Sequence, residues 1–160
     1  MLLLYVLTVL SMVSWSLGCS CGETSLHQYV CGSEFVIKCR VQTVPGSETN
    51  ADVYYVVNVL DILKQPSPHA LPMGEVKIWT PGNDGICKAP LALNEEYYIG
   101  GSIDKRTGKL QTYLCNFRSK VSTLKDCQKR MIAENMFDCS CKTPECFQDC
   151  RRGRHVFIRL

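Results

Sequence analysis

The chain has 160 residues, eleven cysteines and a formal charge of +3. That is length for one ordinary domain around one core, with too little basic excess to argue for nucleic-acid binding. So many cysteines in a small chain imply a disulfide framework made in an oxidising compartment, and an odd count leaves one thiol over.

Residues 1–18, MLLLYVLTVLSMVSWSLG, contain no charged side chain and close with small residues at Ser16 and Gly18. They read as a secretory signal peptide cut between Gly18 and Cys19. Thr8, Ser11, Ser14 and Ser16 interrupt the apolar run, which argues against a membrane anchor. A bacterial lipoprotein with an acylated Cys19 is a rival, but the basic start of such leaders is missing. The expected product is secreted and extracellular, with no membrane segment.

A short helix is expected over residues 25–32, behind a Thr24 cap. Residues 34–41 (EFVIKCRV) and 52–63 (DVYYVVNVLDIL) are rich in β-branched and apolar residues and read as strands. Pro45, Gly46, Ser47 and Asn50 supply the turn between them, and Pro66, Pro68 and Pro72 break the chain before a third strand at 75–80 (EVKIWT). Residues 96–103 and 109–114 flank DKRTG, where Gly108 can take a positive φ, and predict a hairpin. Over residues 122–137, Leu124, Cys127, Met131 and Met136 stand near helical spacing, with Ser122 placed to cap an amphipathic helix.

Five short antiparallel strands cannot all bury two faces in a small open sheet, so they are expected to curl into a closed barrel with the helices against it. The fold class is mainly β with flanking helices, stapled by disulfides. His27, His69 and His155 fall in no catalytic pattern, and neither H-E-x-x-H nor G-x-S-x-G occurs, so an enzyme is not expected. CSCKTPEC with Cys150 lacks the C-x₂-C spacing of structural zinc sites and reads as disulfide-forming.

The predicted mature chain begins Cys19-Ser20-Cys21, then nine residues, then Cys31 and GSEFVIK. IWTPGNDGIC leads to Cys87, and Cys115-Asn116-Phe117 precedes Thr123-Leu124 and Gln128-Lys129. In order and spacing, from Cys19 to Cys150, these motifs closely resemble the tissue inhibitors of metalloproteinases. The resemblance implies a netrin-like domain on an oligonucleotide/oligosaccharide-binding barrel, in agreement with the five-strand reading. It implies bridges Cys19–Cys87, Cys21–Cys115 and Cys31–Cys139, which sequence alone leaves open. The remaining cysteines allow Cys39–Cys127 and Cys146–Cys150, with Cys141 as the odd thiol. The implied organisation is a signal peptide at 1–18, a netrin-like inhibitory domain at 19–139, and a short Cys-containing basic tail at 140–160. That tail resembles the start of the family's second domain.

The resemblance also implies a function: secreted inhibition of zinc metalloproteinases of the matrix type. A catalytic zinc keeps one position open, and a terminal residue can fill it with its α-amine and carbonyl, a five-membered chelate that an internal amide cannot form. Cys19 is that residue; its sulfur, once bridged, is not a ligand. Ser20 would enter the enzyme's pocket beside the zinc. Cys19, Ser20, Cys21 and Gly22 with Asp84, Gly85 and Ile86 would form the ridge that fills the cleft. Gly22 departs from the family, which usually carries a side chain there. The inhibitor needs no cofactor of its own; the zinc is the target's. Arg151, Arg152, Arg154 and Arg159 suggest sulfated matrix polysaccharides as a further partner. The rival function is a netrin-like module that binds extracellular matrix without inhibiting.

Overall fold

The computed structural model describes residues 19–22, 24–43, 52–66, 70–82, 87–141 and 157–158. The proposed leader, the turn at Pro45 to Asn50, Pro68, His69, Asp84, Gly85, Ile86, Cys146, Cys150, His155 and the four arginines of the tail lie outside them. In chain order the elements are β1 (Thr24–Ser25), α1 (Leu26–Gly32), β2 (Phe35–Val41), β3 (Asp52–Lys64), β4 (Gly74–Pro81), β5 (Glu96–Ile103), β6 (Leu110–Gln111), β7 (Arg118–Lys120), a 3-10 turn at Val121–Thr123, α2 (Asp126–Ala133) and β8 (Phe157–Ile158).

Five strands close into a mixed barrel in the order β2-β3-β4-β6-β5, and β5 returns to pair with β2. All neighbours are antiparallel except β4 and β6. Two register shifts, at Val36/Ile37 and Lys38/Cys39, bend β2 against β3; bulges of this kind add the local twist that closure demands. Period-two alternation then divides the strands' side chains between two cores. Phe35, Ile37, Cys39 and Val41 of β2 point inward with Tyr55, Val57, Ile78, Tyr97 and Ile99. Val36 and Tyr98, from the opposite faces of β2 and β5, pack outside the barrel against Leu26, Tyr29 and Val30 of α1 and Ile132 of α2. The architecture is the expected one, mainly β with helices flanking a closed five-stranded barrel, except that the parallel β4–β6 pair replaces the antiparallel pairing expected throughout.

α1 starts where Ser25, not Thr24, caps it: Ser25 Oγ accepts from the Gln28 N–H, and Gln28 Oε1 accepts from the Ser25 N–H. That reciprocal capping box satisfies two donors that a helix start leaves open. At the other end Lys64 Nζ donates to the carbonyls of Val30 and Cys31, at 3.3 and 3.0 Å. On the outer face of β3 and β4, Tyr54 and Trp79 sit 4.9 Å apart between Lys77 and Lys109, whose ammoniums lie over the two rings.

Three expectations need correction. The helix over residues 122–137 is only Asp126–Ala133: Ser122 lies in the 3-10 turn, Leu124 and Lys125 are extended, and Asn135 at φ 47 ends the helix. Its buried residues are Gln128 and Ile132, while Met136 is exposed. The second arm of the hairpin shrinks to Leu110–Gln111, although Gly108 does take the positive φ expected of it. Cys39 is a free thiol, so the Cys39–Cys127 pairing fails and Cys141 is not the odd residue; Cys127 and Cys141 are both disulfide-bonded. The reason is the face: Cys39 points into the barrel with no exposure, whereas α2 packs on the opposite face of the same wall.

Candidate functional site

The site starts with Cys87, which the barrel holds in an unusual backbone conformation. Its φ is +68, a left-handed geometry that residues with a Cβ adopt only when neighbours enforce it. Its carbonyl accepts the Leu114 N–H at 2.8 Å. Downstream, the Ala89 N–H donates to Thr80 Oγ1, the Leu91 N–H to the Tyr55 hydroxyl and the Ala92 N–H to the Tyr97 hydroxyl. Three barrel side chains thus stitch down the segment that leaves Cys87.

Cys115 is placed with similar economy. Thr112 ties the preceding residues to the barrel, its N–H donating to the Trp79 carbonyl and its hydroxyl to the Gly100 carbonyl. Asn116 closes a turn on the Tyr113 carbonyl, and Phe117 is fully buried beyond it. Gly100 and Gly101 are required at this wall, because a Cβ on Gly101 would stand 2.0 Å from the Gln111 carbonyl oxygen and one on Gly100 2.3 Å from Ser33 Oγ.

Onto these two anchors the segment 19–22 is bridged. Cys19 joins Cys87 with a Cα–Cα distance of 5.4 Å, and Cys21 joins Cys115 at 5.3 Å. Cys19 and Cys21 are half-buried, while Ser20 between them and Gly22 after them are exposed. Space around Gly22 is open: an added Cβ would meet nothing within 4 Å. The Gly22 carbonyl accepts the Thr24 hydroxyl at 3.3 Å. A cleft of about 380 Å³ opens beside the second bridge, lined among others by Thr24, Gln28, Ser33, Ser102, Tyr113 and Asn116. Of the proposed ridge, Cys19, Ser20, Cys21 and Gly22 are thus brought together around Cys87 and Cys115; Asp84, Gly85 and Ile86 lie outside the described residues.

The third bridge, Cys31–Cys139, closes 108 residues and fastens α1 to the segment after α2. His27 is buried next to it, with Nε2 2.9 Å from the Asp138 carbonyl, a packing role. Among the described residues no group of three or more His, Cys, Asp or Glu side chains could hold a metal ion, and the thiols of Cys139 and Cys141 are spent in disulfides. Among those residues no helix is long and apolar enough to cross a membrane. Sequence reasoning missed the left-handed Cys87 and the Thr24–Gly22 hydrogen bond, for which no local signal exists.

A closed mixed barrel with Cys19-Ser20-Cys21 stapled to two of its loops defines a class, the small disulfide-built barrel domain. The family model for tissue inhibitor of metalloproteinase matches residues 18–156, and the chain belongs to that family. It is 25% identical over 136 residues to "Metalloproteinase inhibitor 4" of Rattus norvegicus, covering 81% of this chain and 60% of the rat protein. It is 31% identical over 121 residues to "Putative metalloproteinase inhibitor tag-225" of Caenorhabditis elegans, covering 70% of this chain and 73% of the nematode protein. The family is one of inhibitors and not of enzymes. The chain thus spans less than two thirds of the rat relative's length.

Proposed function

We propose that this protein, secreted and cut before Cys19, inhibits zinc metalloproteinases of the matrix type by presenting residues 19–22 to their active sites. The observation that carries the reading is the double staple: two disulfides within three residues fix Cys19 and Cys21 to separate barrel loops and leave Ser20 exposed between them. A segment held in this way loses little conformational freedom on binding, and that saving appears as affinity. The α-amine and carbonyl of Cys19 chelate the zinc of the target, occupying the position that water needs. The Cys19 sulfur is bonded to Cys87 and takes no part as a ligand. Ser20 fills the pocket beside the zinc, Gly22 follows it along the cleft, and Asp84, Gly85 and Ile86, just before Cys87 in the chain, are proposed as further contacts with the enzyme.

Coordination requires the neutral amine, so the proton must leave on binding. A terminal amine titrates near 7.7–8.0, and the neutral fraction falls on the order of 40-fold from pH 8 to pH 6. Inhibition of a matrix metalloproteinase catalytic domain, corrected for the enzyme's own titration, is expected to weaken by about that factor over the same range. Inhibition independent of pH would remove the chelate, and none at any pH would leave the matrix-binding module as the function.

A further inference from the structure

We propose that β8 is a clasp that holds the inhibitory segment in shape through Thr24, a positioning residue; the inference rests on the reading that residues 19–22 enter the target. β8 pairs antiparallel with β1, Thr24 opposite Ile158 and Ser25 opposite Phe157, in a two-stranded ribbon separate from the barrel sheet. β1 lies immediately past the exposed segment, and Thr24 reaches back with its hydroxyl to the Gly22 carbonyl. Ser25 is occupied otherwise, because both its N–H and its Oγ are engaged with Gln28 in the cap of α1. Thr24 therefore joins β8 on its backbone side to the ridge on its side-chain side.

Gly22 needs such a hold. The bridge at Cys21 fixes the chain ahead of it, but Gly22 has the widest backbone freedom of any residue type and no packing around the place of a Cβ. A two-residue strand has no ladder without its partner; Ser25 is also held by the cap of α1, so it is Thr24, just ahead of that cap, that depends on β8 for its backbone order. Short ribbons of this kind sit at the low end of local stability and open before the core does. The strand at Phe157–Ile158 thereby gains a role beside the segment at 19–22.

The test compares the mature chain with a form lacking residues 157–160 and with Thr24→Val, after each shows the oxidised mass and near-ultraviolet circular dichroism of the intact protein. Amide exchange is measured over residues 22–25, and association and dissociation rates against a matrix metalloproteinase catalytic domain. The deletion is expected to speed exchange about tenfold or more, and to raise the dissociation rate by about three- to tenfold with little change in association. Thr24→Val is expected to leave the ribbon paired yet share the faster dissociation. Unchanged exchange in the deletion would overturn the clasp, and faster exchange with an unchanged dissociation rate would overturn its service to inhibition. If the intact protein inhibits nothing, the reading under Proposed function fails while the exchange measurement still decides whether the clasp exists.

Discussion

Two glycines show how differently one residue type can be placed. Gly101 is packed so tightly that any Cβ collides with the Gln111 backbone and the Phe35 ring, whereas Gly22 faces open space. Gly101→Ala is expected to destabilise the fold by about 3 kcal/mol or more, since backbone cannot give way cheaply. Gly22→Thr should stay within about 0.5 kcal/mol of the parent, as surface changes do; urea unfolding of both variants checks the pair. Cys39 adds a chemical prediction. Burial, helped by the Glu96 carboxylate, pushes its thiol up to about 12. Because the folded value lies above the ordinary one, the thiol stays neutral in the native protein at pH 8 and the reactive thiolate is absent. Iodoacetamide should therefore leave Cys39 unmodified until denaturant is added, as peptide mass mapping would show. Rapid native alkylation would mean that the barrel interior is open.

The elements read best from sequence are those whose side chains alternate, such as Phe35, Ile37, Cys39 and Val41 inside β2 with Lys38 and Arg40 outside. β1, β7 and β8 are two or three residues long and exist through long-range pairing, which leaves no periodic trace. Hydrophobic spacing overextends the helix because Leu124 and Met136 happen to stand at helical intervals, although Leu124 is extended chain buried in the outer core and Met136 faces solvent. Helix ends follow caps rather than hydrophobic spacing: Gln128 reaches back to the Lys125 N–H, and that contact sets the start at Asp126. At α1 the far end is capped partly by Ser33, whose N–H donates to the Val30 carbonyl and whose hydroxyl donates to that of Tyr29, and partly by another element. Lys64 adds a charged donor to the carbonyls of Val30 and Cys31, so Lys64→Met is expected to cost about 1 kcal/mol in chemical denaturation. No loss would show that water serves those carbonyls equally well.

At the scale of the molecule, the three long bridges close loops of 68, 94 and 108 residues, worth about 4–5 kcal/mol each in the chain-entropy model. Spacing by itself cannot choose among connectivities; the family resemblance named these three, and the geometry contains them. The same resemblance is silent on Cys39, and a count of thiols that ignores which face of β2 Cys39 occupies assigns the odd one wrongly. The barrel was legible because five strand patterns in so short a chain leave few ways to bury their apolar faces. The exposed segment at 19–22 was legible only as a motif, since its shape depends on anchors at Cys87 and Cys115 more than sixty residues away. The account turns on the free amine of Cys19. The measurement that tests it most directly compares inhibition of one matrix metalloproteinase catalytic domain by two forms with the same oxidised mass and fold, one starting at Cys19 and one with a single alanine before it. Loss of inhibition by about 100-fold or more in the extended form is the predicted result, the scale of a lost metal contact. Equal inhibition by both would contradict the chelate.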